Sequence, residues 1–359
     1  METSRTFLMA GGGTGGHVIP LIAVARILRN RGHRAVFVGT RTGMEARLVP
    51  KAGFEMEWIE TGALNRVGLA TRLSTVLRLP DSVLRARGLI ARHQPAAVFS
   101  LGGYVAAPVL LAAVSKGTPV VVMEPNALPG AVHRWLSRWV ARALVSFSEA
   151  QAYFPAGRCE ITGVPVRAEF FAIEPREPGE ELRVLITGGS QGSRTLNRAV
   201  EQCWPLLAGQ PVRLMHQTGA AAYSEIAARF AGAGVAGDVA AFIEDMPAAF
   251  AAADLIVSRA GAGACAEIAA AGKPSILVPF PFAADDHQTK NAEAFVRAGA
   301  ARMIPDREMN GARLFQEIKE LAADRGKLAA MAAAARRLAR PDAAQRAVTV
   351  LEEIAGGSR

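Results

Sequence analysis

The apolar positions of this chain change period along its length. Thr6–Ala10, Arg34–Val38, Ala97–Leu101 and Pro119–Met123 are apolar runs of strand length. Between the first two, Leu21, Val24, Ala25 and Leu28 recur at i, i+3, i+4 and i+7, which is one face of a helix. Pro20 sits near that helix's start, where its missing N–H is tolerated. Apolar strands alternating with such helices predict a parallel sheet covered on both faces. After residue 160 the pattern begins again. Gly163-Val164-Pro165 reads as a linker, 174–181 is polar and rich in Glu and Pro, and Arg183–Thr187 is a new first strand. Strand, glycine turn and helix open both halves. The expected fold is therefore α/β, with two doubly wound Rossmann-like domains facing across a cleft. They cover 1–162 and 163–339, and a closing helical segment, 340–359 with Asp342–Ile354 as its clearest part, is free to pack back on the first.

Length agrees with this division, since 359 residues at about 150 per domain suggest two. The 41 Lys and Arg against 32 Asp and Glu leave a formal charge of +9. Such a surplus favours anionic lipid, phosphorylated molecules or nucleic acid, and does not choose among them. Cys159, Cys203 and Cys265 are odd in number and far apart, which fits neither a disulfide framework nor a tetrahedral zinc site, and suits a reducing compartment. Apolar runs such as Val105–Val114 stop short of the roughly 18 residues a membrane span requires, and the N-terminus does not read as a signal peptide. A soluble or peripheral cytoplasmic protein is expected.

Four segments carry candidate chemistry. Gly11-Gly12-Gly13-Thr14-Gly15-Gly16-His17 places glycines at a strand–helix junction, where backbone N–H groups and a helix dipole suit an anion or a developing oxyanion. His17, at the mouth of the expected crevice, is placed to take a proton from a hydroxyl. Gly188-Gly189-Ser190-Gln191-Gly192-Ser193-Arg194, with Asn197 one turn on, makes a second cradle that suits a pyrophosphate. Ser258-Arg259-Ala260-Gly261-Ala262-Gly263-Ala264 follows an apolar strand, with Arg259 set to meet phosphate and Glu267, read as lying in a helix's first turn, set to accept from ribose hydroxyls. The fourth runs from Pro279-Phe280-Pro281 to Asp285-Asp286-His287-Gln288-Thr289-Lys290-Asn291, a loop at the carboxyl edge of the sheet. Its two acids and single His fall short of a metal site, and helix capping by an Asp accounts for them. Gly11, Gly13 and Gly16 also satisfy G-x-G-x-x-G. The second strand, however, ends Val38-Gly39-Thr40-Arg41 without an acid for the ribose, so only an NADP variant of that reading survives.

Taken together and in order, G-G-T-G-G-H, Leu101-Gly102-Gly103-Tyr104-Val105, G-G-S-Q-G-S-R-x-x-N, S-R-x-G with Glu267, and D-H-Q-T-K-N-A resemble the MurG family, the lipid-intermediate N-acetylglucosaminyltransferases of peptidoglycan synthesis. The resemblance runs over nearly the whole chain. It implies the glycosyltransferase B architecture and transfer of GlcNAc from UDP-GlcNAc, with inversion, to the 4-hydroxyl of undecaprenyl-pyrophosphoryl-MurNAc-pentapeptide (lipid I to lipid II). Carried over by position, Glu267 would bind the uridine ribose, Ile243 would offer backbone atoms to uracil, and Ser190 would hold pyrophosphate with Arg167 nearby. Gln288, His287 and the turn Ala262, Gly263 and Ala264 would face sugar and phosphates, and Asn126 would reach the sugar from the first domain. Thr14, Gly15 and Gly16 are assigned to the donor and Gly13 and Tyr104 to the acceptor, with Thr14 also matching a family position on the acceptor side. His17 and Glu124 are the candidate catalytic groups, His17 first.

Departures from the family pattern bear on the base. Met123-Glu124-Pro125-Asn126 stands where the family has His-Glu-Gln-Asn, so no proton can be transferred at 123, and His133 replaces a further Asn. No two-carboxylate metal site of clear spacing is present in the sequence, so no essential metal or other cofactor is expected, and no nucleic-acid partner. The resemblance implies lipid I, an anionic membrane surface and the cell-wall synthesis machinery as partners, and a peripheral location on the cytoplasmic face of the membrane. Candidate membrane-facing residues are Arg72, Leu73, Val76, Leu77, Arg78, Leu79, Arg85 and Arg87, and Trp135 and Trp139 beside Arg134, Arg138 and Arg142. Two other enzyme classes share parts of the pattern, a nucleotide-sugar epimerase of the same architecture and an NADP-dependent oxidoreductase. A non-catalytic reading, a peripheral membrane protein that binds the lipid precursor, would release no UDP.

Overall fold

The computed structural model describes residues 4–13, 15–60, 69–103, 105–176 and 179–357, and of 69–78 the backbone alone. The chain divides into two compact units, Met1–Pro165 with Asp342–Arg359, and Val166–Pro341. The first boundary falls just beyond the expected 162 because Thr162 and Gly163 both donate N–H bonds to the Val145 carbonyl and stay with the first sheet.

The first unit is built on seven strands: β1 (Thr6–Gly11), β2 (Arg34–Gly39), β3 (Glu55–Trp58), β4 (Ala97–Gly102), β5 (Val120–Glu124), β6 (Arg142–Val145) and β7 (Cys159–Ile161). They lie in the order β3-β2-β1-β4-β5-β6-β7, every pair parallel. All residues of β4 and β5 are buried, as expected of central strands with helices on both faces. The final helix, Ala343–Gly356, belongs to this unit. Arg346 grips Glu160 with two bonds of 2.7 and 2.8 Å, and Arg31 and His33 both meet Glu352.

The second unit holds β8 (Leu182–Thr187), β9 (Val212–Gln217), β10 (Ala236–Ala240), β11 (Leu255–Ser258), β12 (Ser275–Leu277) and β13 (Ala301–Met303), in the order β10-β9-β8-β11-β12-β13 and again all parallel. Its core gathers Leu182, Val184 and Ile186 with Leu196, Val200, Cys203 and Trp204 of the helix Arg194–Leu207. In each unit the strand order reverses once, between β1 and β4 and between β8 and β11. The carboxyl ends flanking such a reversal diverge into a crevice, which is where open α/β sheets bind ligands. Both glycine turns lie at these points.

Candidate functional site

In the first unit, β1 delivers its glycines to the start of the helix Gly15–Asn30, with Gly13 at φ +86°. The turn is gripped from beneath by Glu45, which is 1 % exposed. Its carboxylate accepts from the Gly13 N–H at 2.8 Å, the Thr40 N–H at 3.0 Å and the Thr40 hydroxyl at 2.8 Å. A Cβ at Gly12, Gly39 or Gly43 would strike that carboxylate's own atoms or chain at 2.1–2.6 Å, so these glycines leave room for a buried acid. The second loop, Gly102-Gly103, closes on the first: a Cβ at Gly103 would stand 2.9 Å from the Gly12 carbonyl oxygen and 3.4 Å from His17 Nδ1.

His17 Nδ1 lies 3.2 Å from the Gly12 carbonyl oxygen. A carbonyl only accepts, so the neutral ring carries its proton on Nδ1 and its lone pair on Nε2. Gly15 and Gly16 form the first helical residues before it, and Thr14 and Tyr104 lie outside the described residues.

Glu124 closes β5 and is 2 % exposed. Its Oε1 accepts from the backbone and side-chain N–H groups of Asn126 at 3.0 and 3.1 Å, and its Oε2 from Gly130 N–H at 3.0 Å and His133 Nδ1 at 2.8 Å. Burial alone would push this carboxyl up. The His133 bond and charge and the two backbone N–H bonds outweigh it and hold Glu124 below the ordinary carboxylate range. Such an acid is a weak base with both oxygens committed, so the arrangement suits holding Asn126 and His133 in place better than proton transfer. His133 does more than fill a family Asn position, because it supplies Glu124 with a partner.

In the second unit the turn after β8 holds Gly189 at φ +83° and Gly192 at φ +71°. A Cβ on Gly192 would lie 1.8 Å from the Thr218 carbonyl oxygen, so the loop after β9 presses directly on the turn. Ser190 is exposed. Ser193 caps the helix Arg194–Leu207 by accepting from Leu196 N–H at 3.3 Å, and Arg194 stands exposed at that helix's start. Asn197 donates to the Thr218 carbonyl at 3.0 Å and its Oδ1 meets buried His216, whose pKa burial lowers to about 4. Asn197 is thus a brace between loops.

Arg259 differs from expectation. Its guanidinium donates to the carbonyls of Val278 and Pro279 at 3.2 and 3.1 Å, to Asp306 at 2.5 Å and to Ser193 Oγ at 2.6 Å. These bonds engage both terminal nitrogens and pair the charge with Asp306, so Arg259 ties the loops of this unit together. Arg167, by contrast, is exposed and lies over the Phe170 ring at 5.0 Å.

The helix carrying Glu267 begins at Ala262, not near Glu267. Ala262, Gly263 and Ala264 therefore are its first turn, presenting N–H groups directly, while Glu267 sits in the second turn, where complementation of the helix dipole no longer explains it. Its carboxyl is desolvated although the residue keeps some surface; burial pushes it up to about 7, against the pull of Arg167. No hydrogen bond to Glu267 occurs among the described residues.

The loop after β12 carries Asp285 and Asp286 in consecutive left-handed conformations, φ +51° and +54°. Asp286 does not cap the helix His287–Arg297; its Oδ1 accepts from the Thr289 hydroxyl at 2.6 Å. Gln288 Oε1 accepts from Phe280 N–H at 2.9 Å and His287 Nδ1 faces the Ala284 carbonyl at 2.7 Å, so both side chains are held in fixed orientations. Ile243 N–H is taken by Gln217 Oε1 at 2.9 Å, which leaves the carbonyl as that residue's available backbone group. All three cysteines are free, and burial raises the thiols of Cys203 and Cys265 to about 12, which makes them inert.

Sequence reasoning missed Glu45, Gln217 and Asp306. The available signals were a lone acid opening a helix after Gly43 and a His-Gln pair ending an apolar strand before Thr218-Gly219.

Residues 7–145 match the glycosyltransferase family 28 N-terminal domain and residues 183–347 its C-terminal domain. A protein of Solibacter usitatus named UDP-N-acetylglucosamine–N-acetylmuramyl-(pentapeptide) pyrophosphoryl-undecaprenol N-acetylglucosamine transferase is 58 % identical over 98 % of this chain and 97 % of its own. One of the same name from Halorhodospira halophila is 45 % identical over 98 % and 99 %. The crystal structure of Acinetobacter baumannii MurG superposes with a TM-score of 0.82 at 33 % identity, covering 97 % of this chain and 99 % of that one.

Proposed function

The chain belongs to the MurG family within glycosyltransferase family 28, and from that membership we infer that it transfers N-acetylglucosamine from UDP-GlcNAc to the 4-hydroxyl of MurNAc in undecaprenyl-pyrophosphoryl-MurNAc-pentapeptide. The products are lipid II, with the anomeric configuration inverted, and UDP. The observation that carries this reading is the full-length likeness to transferases of that name, which an epimerase or an NADP-dependent oxidoreductase does not account for.

In this reading His17 Nε2 takes the proton of the attacking hydroxyl, and its tautomer, set by the Gly12 carbonyl, supports the role. Glu124 and His133 position Asn126 and the loop around Gly130. In the second unit the exposed Ser190, the first turn of the helix Ala262–Ala271, the start of the helix Arg194–Leu207 and Arg167 stabilise the charge that grows on the departing UDP. Glu267 accepts from the ribose, the Ile243 carbonyl meets the base, and Gln288 and His287 face the sugar. The reaction is proposed to need no bound metal.

The lipid-linked acceptor also implies peripheral association with an anionic membrane. No helix among the described residues is long and apolar enough to cross a membrane. Trp135 and Trp139 are 61 % and 49 % exposed, Leu84 is 65 % exposed, and Arg138 lies over the Trp139 ring at 5.5 Å. Exposed indoles beside arginines suit the headgroup layer. The side chains of 72–78 lie outside the described residues.

The test is UDP release from UDP-GlcNAc with and without a short-chain lipid I analogue, in the presence of a chelator. Acceptor-dependent release that resists chelation and is abolished in Glu267→Ala is expected. Release without acceptor would replace the transferase by an epimerase or a hydrolase.

A further inference from the structure

The amide of Gln217 lies between two segments of the second unit that are remote in sequence. It ends β9, which runs between β8 and β10, and it is 1 % exposed. Its Nε2 donates to the Gly189 carbonyl at 2.9 Å and to Thr187 Oγ1 at 3.2 Å, and its Oε1 accepts from Ile243 N–H at 2.9 Å. The network fixes the amide's orientation, because the flipped form would set oxygen against oxygen at Gly189 and N–H against N–H at Ile243.

The Gly189 carbonyl also accepts from Gly192 N–H at 2.9 Å, so it is held inward by two donors. In a trans peptide the carbonyl and the following N–H point in opposite directions. An inward Gly189 carbonyl therefore turns the N–H of Ser190 outward, toward the solvent that Ser190 and Gly189 both face. Rotating this one peptide would exchange an outward donor for an outward carbonyl oxygen, converting an anion-attracting surface into one that repels anions. The left-handed φ of +83° at Gly189 permits the observed orientation, and a Cβ there would meet nothing within 4 Å, so conformation and not crowding is what glycine provides.

We propose that Gln217 is a positioning residue that holds the Gly189–Ser190 peptide with its N–H toward the diphosphate and ties that peptide to the segment at Ile243. The proposal rests on the second unit being the UDP site. Nothing in it requires Gln217 to touch the ligand.

The experiment measures UDP and uridine affinity by calorimetry or competition for the full chain and for Gly189→Ala, Gln217→Met and the double variant, with thermal midpoints as the check on folding. Gly189→Ala acts from the surface and strains the left-handed backbone, so it should weaken UDP about fivefold or more while leaving uridine nearly unchanged. Gln217→Met releases both ends and should weaken UDP and uridine together. Because both changes act on one peptide, the double variant should lose less UDP affinity than the product of the two single losses. Equal loss of UDP and uridine in Gly189→Ala, or unchanged UDP affinity in folded Gln217→Met, would overturn the proposal. Should Gln217→Met fail to fold, Gln217→Glu takes its place: it keeps an acceptor for the Ile243 N–H but sets oxygen against the Gly189 carbonyl, and unchanged UDP affinity in it would overturn the proposal. A wild-type chain that binds no UDP would instead remove the transferase reading on which the proposal stands.

Discussion

The two glycine turns that open the two units look alike in sequence and differ in what lies beneath them. Each leaves the first strand of its sheet at the point where the strand order reverses, and each holds a glycine with φ between +80° and +90°, Gly13 at +86° and Gly189 at +83°. Under the first lies the Glu45 carboxylate, which draws the Gly13 N–H inward. Under the second lie a neutral amide and a hydroxyl, Gln217 and Thr187, and the amide draws a carbonyl inward instead. The first turn therefore spends a donor on a buried anion, while the second turns an acceptor away and keeps a donor outside. A phosphate at the first turn would feel Glu45 as a like charge; at about 6 Å and an effective dielectric constant near 20 that repulsion is about 3 kcal/mol. This argues physically against seating a dinucleotide's phosphates on the Gly13 N–H. A glycine turn at a strand–helix junction is thus only a frame, and the buried group behind it decides which ligand suits it.

The largest effect that sharpens this contrast is expected at His17, which sits on the first turn alone. His17→Ala should lower kcat by about 10²- to 10⁴-fold with the affinity for UDP-GlcNAc unchanged, since it removes a proton acceptor and no donor contact. Stopped or steady-state turnover combined with donor titration reads both quantities, and a matching loss of donor affinity would assign His17 to binding. Next come the two ties beneath the turns, Glu45 and Arg259. Glu45→Ala orphans three donors and should destabilise the chain by about 2–4 kcal/mol in urea unfolding, with UDP affinity intact. Arg259→Met strands Asp306 and uncouples Ser193 from the loop at Val278 and Pro279, and should weaken UDP about tenfold. If Glu45→Ala weakened UDP and Arg259→Met did not, the division of labour between the turns would be wrong.

What the sequence revealed and what it hid follow from the range of each signal. The most apolar strands, such as Thr6–Gly11, Ala97–Gly102 and Leu182–Thr187, and both glycine turns were legible because period and backbone freedom are local properties, visible within a handful of residues. His17 and Ser190 became candidates for the same local reason, since they stand beside the glycines. The tie that Arg259 makes was not legible because its partners, Ser193, Val278, Pro279 and Asp306, come from three other segments that only the folded sheet brings together. Glu45 and Gln217 escaped notice for the same reason. The start of the helix Ala262–Ala271 was hidden differently, since Ala-Gly-Ala-Cys-Ala offers no contrast between an apolar and a polar face from which a boundary can be read. That error placed Glu267 in a first turn, whereas it lies in the second.

Glu267→Gln gives the smallest of the expected changes in stability and the one whose sign is most diagnostic. Burial pushes its carboxyl up to about 7 from an ordinary 4.5. The folded chain therefore retains a proton that the unfolded chain has released, so the stability linked to this group is full below about pH 4.5 and is lost as pH rises through about 7. Glu267→Gln, permanently neutral, should match the wild type near pH 4.5 and exceed it by about 1–2 kcal/mol at pH 8, measured by urea unfolding. Binding should run the other way. A carboxylate accepts two ribose hydroxyls and a neutral acid accepts them less well, so UDP-GlcNAc, whose diphosphate diester does not titrate in this range, should bind more tightly to the wild type as pH rises from 6 to 8. In Glu267→Gln the affinity should be lower and flat with pH. The second unit would then be seen to store a desolvated acid that Arg167 relieves only in part and the ligand's hydroxyls relieve further, whereas Glu45 in the first unit is satisfied by the protein itself. A wild-type affinity that does not change with pH would remove Glu267 from the ribose and leave that contrast without its counterpart.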